Sequence, residues 1–152
     1  SDSVYGQTSV AAIGVAAHEC GHAIQHSKGY VPLRLRTAIV PVANFGATIS
    51  WPLILIGLFL GNSQSSQTLI NLGIILFSCA VLFQIVTLPV EFNASARAVR
   101  ILDETGILYG NEIAHTRKVL FAAALTYVAA AIASILQLIR LIILFGGSDR
   151  DR

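Results

Sequence analysis

Three long apolar segments constrain this chain more than any other feature. They cover residues 39–60, 69–90 and 119–145, and each has at least the roughly 20 residues that a helix needs to cross a bilayer. Only 12% of the residues are charged, whereas soluble domains carry about 25%. The sequence therefore predicts an all-α, multi-pass membrane protein with three transmembrane helices, folded as a single domain over residues 1–152, with the lipid bilayer as a partner.

The same composition excludes several classes of protein. The hydrophobic fraction of 55% is too high for a disordered chain or a coiled coil, and the formal net charge is only +2. Nucleic-acid-binding modules concentrate Lys and Arg on one face to neutralise phosphates. We therefore expect no nucleic-acid partner.

The first polar segment is predicted to form a helix beside the membrane. Residues 8–26 read TSVAAIGVAAHECGHAIQH, and the apolar part of this run is too short to span a bilayer. Thr8 or Ser9 can cap the start of the helix, and Lys28-Gly29 is typical of a helix end. We expect residues 29–36 to form a connector to the first span.

The polar segment 91–118 lies between the second and third spans. It is predicted to continue as a helix to about Glu104, to turn at Gly106 and to form a second short helix from Asn111. A short polar turn, residues 61–68, joins the first two spans.

The basic residues indicate the orientation of the spans. Lys and Arg occur before the first span and in the segment 91–118, whereas the turn 61–68 has none. Because cytoplasmic loops of membrane proteins are enriched in Lys and Arg, we expect the helix 8–26 and the segment 91–118 to face the cytoplasm.

The strongest chemical signal is an HExxH pattern, His18-Glu19-Cys20-Gly21-His22. Residues four apart lie on one face of an α-helix, so both imidazoles point at one spot and can bind zinc. Glu19 is rotated by about 100° along the helix, where its carboxylate can take a proton from a water activated by the metal. We expect one Zn²⁺ per chain.

A third zinc ligand has several candidates. His26 lies on the same helical stripe but two turns beyond His18, and three ligands on one straight stripe cannot surround an ion. His115 is a lone histidine in a polar helix, and Cys20 points away from the stripe. Glu91 follows an apolar run, where a carboxylate without a partner is unfavourable. Two spans separate it from His22, so both lie on the same side of the membrane, and we favour Glu91.

The sequence resembles the YugP-type membrane-bound neutral zinc metallopeptidases of bacteria. The resemblance covers nearly the whole chain and is carried by four segments, AAHECGHAIQH, VPLRLRTAIVPVANFG, LFQIVTLPVEFNASARA and AALTYVAAAIASILQLIRL. It implies a gluzincin-like site with His18, His22 and Glu91 as ligands and Glu19 as the catalytic acid and base. It also implies a bacterial plasma-membrane location.

The resemblance leads to two further expectations. Family members carry an additional N-terminal part, and this chain contains no Met, so we expect it to be an N-terminally truncated piece of a longer protein. Related gluzincins place an Asp four residues after the ligand Glu, and Ser95 stands at that position here. Asn93 and Ser95 are therefore candidates for residues that orient a ligand. His26, from its position along the HExxH helix, is a further candidate for such a residue or a surface residue.

The predicted function is hydrolysis of peptide bonds in peptides or membrane proteins that reach the cytoplasmic face. Arg97 and Arg100 are candidates for binding the substrate, but we favour anchoring at the membrane surface for both. The competing hypothesis for the whole chain is a non-catalytic zinc-binding scaffold or chaperone. A transporter is disfavoured, because the spans carry few polar residues.

Overall fold

The part of the chain that the structure describes consists of α-helices and the turns between them, which confirms the predicted all-α class. The computed structural model describes residues 6–146, and these contain no β-strand. The four helices are α1, Val10–Ser27; α2, Val31–Phe59; α3, Gln64–Glu104; and α4, Asn111–Phe145. The last three are long and apolar enough to cross a membrane, as the sequence predicts.

Helix α1 begins and ends where its capping residues predict. The Ser9 hydroxyl accepts a hydrogen bond from the Ala12 N–H at 3.2 Å, which satisfies one of the free donors of the first turn. Lys28 is the C-terminal cap, and Gly29 follows with a φ of +62°, which favours glycine. The helix that carries the HExxH pattern therefore has defined ends.

The connector predicted over residues 29–36 is wrong, because α2 already begins at Val31. Pro32 occupies the first turn of this helix, where an N–H would have no partner inside the helix, so a proline is favourable rather than disruptive. Pro41 and Pro52 also lie inside α2, and prolines are tolerated within membrane-spanning helices.

The segment after the second span agrees in part with its prediction. α3 continues without interruption through Pro89 and Glu91 and ends at Glu104, and Gly106 forms the turn with a φ of +65°. The predicted short helix does start at Asn111, but it is not short, since it continues to Phe145 as α4. No Gly or Pro occurs between Asn111 and Phe145, so nothing in the local sequence interrupts it.

The chain forms two compact units. The first consists of the described residues up to Leu35 together with Val86–Val128. Its buried core joins α1, the end of α3, the loop that follows it and the start of α4, through Ala17, Ala98, Leu102, Leu108 and Leu120.

Two glycines of α1 allow close packing in the first unit. A Cβ added at Gly21 would lie 2.5 Å from the Ala94 carbonyl oxygen, and one at Gly14 would lie 2.9 Å from Thr116 Cγ2. The obstacle at Gly21 is backbone, so only glycine lets α1 approach α3 this closely, whereas a side chain at Gly14 would require Thr116 to shift.

The second unit consists of Arg36–Ile85 and the described residues from Ala129 onward. Here α2 and α3 also pack through small residues. Added Cβ atoms at Gly46 and Gly73 would lie 2.5 Å from the Leu76 carbonyl oxygen and 2.8 Å from the Ser50 carbonyl oxygen. Helices in lipid associate through such close contacts and through interhelical hydrogen bonds. One such bond joins α4 to α3, where the Ser134 hydroxyl donates to Gln84 Oε1 at 2.9 Å.

Candidate metal centre

The two histidines of the HExxH pattern and Glu91 meet in the first unit. His18 and His22 lie one turn apart on α1, with ring centroids separated by 4.6 Å. Glu91 projects from α3, and its Oε2 atom lies 3.1 Å from His18 Nε2 and 3.6 Å from His22 Nε2. The potential ligand atoms of the three residues all lie within 4.8 Å of one another. The structure therefore brings the three predicted ligands together.

These distances fit a tetrahedral zinc ion. Zn–N and Zn–O bonds of about 2.0–2.2 Å place two neighbouring ligand atoms of a tetrahedron about 3.4 Å apart. The two measured N···O separations, 3.1 and 3.6 Å, lie on either side of that value. Glu91 is only 3% exposed, and a buried carboxylate facing imidazole nitrogens is stabilised by a cation between them. Two imidazoles and a carboxylate form one of the ligand sets of catalytic zinc.

A buried glutamine orients His22. Gln25 is completely buried, and its NH₂ group donates to the Val90 carbonyl oxygen at 2.8 Å. Because that carbonyl can only accept, the amide oxygen must face the other way, where Gln25 Oε1 lies 2.9 Å from His22 Nδ1. His22 Nδ1 therefore carries the hydrogen, and the lone pair of the neutral ring is on Nε2, the atom that faces Glu91.

Asn93 and Arg97 extend this hydrogen-bond network. Arg97 Nε donates to Asn93 Oδ1 at 2.8 Å, and Gln25 Nε2 donates to the same oxygen at 3.1 Å. A guanidinium group has no acceptor, so it fixes which end of the Asn93 amide faces Gln25. Arg97 thereby supports the orientation of Gln25 through Asn93.

His18 has a different partner on its outer nitrogen. The Ser95 hydroxyl lies 3.1 Å from His18 Nδ1, and a hydroxyl can accept the hydrogen of that nitrogen. In this arrangement the Nε2 lone pair of His18 also faces Glu91. Ser95 is one helical turn beyond Glu91, so the same face of α3 supplies both the carboxylate and this partner.

The other candidate residues lie elsewhere. Glu19 is exposed on α1, where it follows His18 in the sequence. His26, His115 and Cys20 are also exposed, and none of them belongs to the group of possible ligands found among residues 6–146. His26 has no place in the network described above, which instead includes Gln25. We did not predict Gln25, although its position three residues after His22 is a signal, since residues three apart lie on one helical face.

Comparisons with known proteins identify the family of this chain. Residues 1–146 match the family described as "Putative neutral zinc metallopeptidase". The chain is 52% identical over 152 residues to the "Putative membrane protease YugP" of Bacillus subtilis (strain 168). That alignment covers 99% of this chain but only 66% of the relative, slightly less than two thirds of its length. No solved structure matches. The chain belongs to this family of neutral zinc metallopeptidases.

Proposed function

We propose that this member of the neutral zinc metallopeptidase family hydrolyses peptide bonds at a membrane surface with one bound zinc ion. One observation carries the proposal. The two HExxH imidazoles on α1 and a buried carboxylate on α3 converge at separations of 3.1 and 3.6 Å. A hydrolytic zinc site needs three protein ligands and one open position, and the described residues supply three.

Each residue has a defined task in this proposal. His18, His22 and Glu91 would hold the ion, which supplies a Lewis acid for the scissile carbonyl and lowers the pKa of water. Glu19 is exposed to solvent on the same helix. Its carboxylate removes the proton from the attacking water and delivers it to the leaving amine. Gln25 and Ser95 keep the imidazole rings turned toward Glu91.

The position of the site favours substrates at the membrane interface. Glu91 directly follows the apolar run of α3, so the site lies at the end of a predicted span. Two spans separate Glu91 from α1, which keeps both on the same side of the membrane, and the basic residues favour the cytoplasmic side. We therefore propose peptides or membrane proteins as substrates, at the cytoplasmic face of a bacterial plasma membrane.

A Glu19→Gln substitution tests the catalytic proposal. Zinc content should stay near one ion per chain, because Glu19 is not a ligand, while peptide cleavage should fall at least about 100-fold, the effect of losing a general base. Glu104→Gln is the matched control, since Glu104 is an exposed glutamate at the end of α3. The measurements are metal analysis and peptide cleavage on chains purified in detergent.

The same experiment separates the enzyme from the non-catalytic zinc-binding scaffold. Normal cleavage by Glu19→Gln would contradict the catalytic role of Glu19. Stable zinc binding without cleavage of any peptide or membrane-protein substrate by the wild-type chain would favour the scaffold.

A further inference from the structure

A cavity lies beside the candidate metal centre within the first unit, between α3 and α4. Its volume is about 340 Å³, large enough to admit any single amino-acid side chain. Six of the eight residues that line it are apolar: Phe92, Ala96, Val99, Leu120, Phe121 and Ala124. The other two are Ser95 and Arg117.

Ser95 connects this cavity to the metal centre. Its hydroxyl lies 3.1 Å from His18 Nδ1, so one residue forms part of the cavity wall and also contacts a candidate zinc ligand. An extended peptide advances about 3.3 Å per residue. The side chains within one or two residues of a scissile bond are therefore the ones that a pocket next to a metal centre can take.

The lining determines which chemistry the cavity accepts. Aromatic and aliphatic walls favour a large apolar side chain, since burial of apolar area is the main gain on binding. Arg117 is exposed, and its guanidinium can bind a carbonyl or carboxylate oxygen of the peptide main chain. Arg117 is not joined to an acidic side chain by any of the ion pairs found among the described residues.

We propose that this cavity is a substrate-binding pocket that accepts a large apolar side chain of the peptide while Arg117 binds the peptide main chain. This inference rests on the proposed peptidase function. A phospholipid, with an acyl chain in the cavity and its phosphate on Arg117, is the competing occupant. The contact between Ser95 and His18 favours the peptide, because it joins the cavity to the reaction site.

The test measures binding of short alanine-rich peptides in which one Phe is placed at each position in turn. All proteins carry Glu19→Gln, so that peptides bind without turnover, and are reconstituted with zinc in lipid nanodiscs. Phe at one position should tighten binding at least about 10-fold relative to the all-alanine peptide, since each added methylene in an apolar pocket contributes a factor of about 10 or more.

Two matched substitutions locate this effect. Ala96→Phe fills the cavity from an exposed lining position and should abolish the preference for Phe. Ala122→Phe adds the same side chain at an exposed α4 position outside the cavity, and should preserve the preference.

Arg117→Gln should weaken the binding of all peptides by a similar factor of about 10, because it removes a charge-assisted hydrogen bond to the main chain. Zinc content should be unchanged in all variants.

Several results would overturn the pocket. One is the absence of any position-dependent gain from Phe, and another is a gain that survives Ala96→Phe. The cavity would be assigned to lipid by a third result. Native mass spectrometry would find a phospholipid bound to the wild type and lost in Ala96→Phe and Arg117→Gln, while peptide binding stays unchanged in both variants. If peptides bind in a Phe-dependent way but the wild-type chain cleaves none of them, the proposed peptidase function is refuted and the pocket is retained. If the wild-type chain cleaves peptides but binding does not depend on Phe, the pocket alone is refuted.

Discussion

Substitution of Gln25 tests whether the buried amide positions His22 for zinc. Gln25→Leu removes the acceptor of the His22 Nδ1 hydrogen, which lies 2.9 Å from Gln25 Oε1, and also the donor to the Val90 carbonyl. The His22 ring then has no partner that fixes its tautomer and orientation. Loss of this hydrogen bond and of the ring's fixed orientation should make the free energy of zinc binding less favourable by about 1.5–3 kcal/mol. Zinc affinity should therefore fall about 10- to 100-fold.

A second substitution separates positioning from packing. Gln25→Glu retains an oxygen that accepts from His22 Nδ1, but it places a carboxylate against two acceptors, the Val90 carbonyl and Asn93 Oδ1. The free energy of unfolding should fall in both variants, by about 1–3 kcal/mol for each buried polar group left without a partner. Zinc affinity of the folded protein should fall only in Gln25→Leu, because only that variant leaves the imidazole without its acceptor.

Competition with a chromophoric chelator measures zinc affinity, and denaturant unfolding without zinc measures stability. Gln67→Leu is the control, since Gln67 also donates through its amide to a backbone carbonyl, that of Phe145 at 3.1 Å, but in the second unit. This control should bind zinc like the wild type. Wild-type affinity in Gln25→Leu, or an equal loss in Gln25→Glu, would refute the positioning role.

Three further predictions concern the same centre. Glu91→Ala should lose stoichiometric zinc in metal analysis while His26→Ala retains it, and retention by Glu91→Ala would remove the carboxylate from the ligand set. Ser95→Asp should tighten zinc binding several-fold in the chelator competition, because a carboxylate accepts the imidazole hydrogen more strongly than a hydroxyl, and weaker binding would contradict this reasoning. Gly21→Val should lower the free energy of unfolding by about 1–3 kcal/mol and weaken zinc binding, because the valine side chain meets the Ala94 carbonyl. Unchanged stability in denaturant unfolding would show that α1 and α3 do not need this close approach.

The sequence predicts those parts of the fold that depend on local chemistry. The ends of α1 follow from the Ser9 hydroxyl and from Gly29, which act on the adjacent backbone. The predicted connector before α2 is wrong because Pro32 has opposite effects in the interior and in the first turn of a helix, and the composition of the segment does not distinguish the two. Helix type is thus easier to predict here than helix boundaries.

The three candidate ligands can be predicted from the sequence, whereas the glutamine that orients one of them cannot. The HExxH spacing places two imidazoles on one face, and the need of Glu91 for a partner indicates the third ligand. Gln25 was missed because its role depends on the Val90 carbonyl, 65 residues away. No local pattern specifies that contact, which requires the close approach of α1 and α3 at Gly21.

A single helix, α3, supplies the groups that complete the candidate metal centre around the two α1 histidines. α3 supplies the carboxylate from Glu91, the partner of His18 from Ser95, and both acceptors of the Gln25 amide, the Val90 carbonyl and Asn93. These groups lie within six consecutive residues, and successive residues of a helix are rotated by about 100°. A shift of α3 by one residue relative to α1 would therefore misplace the ligand and the partners of both imidazoles at once. The close contact of Gly21 with Ala94 lies among these residues, so the packing that fixes the register of the two helices also fixes the geometry of the candidate metal centre.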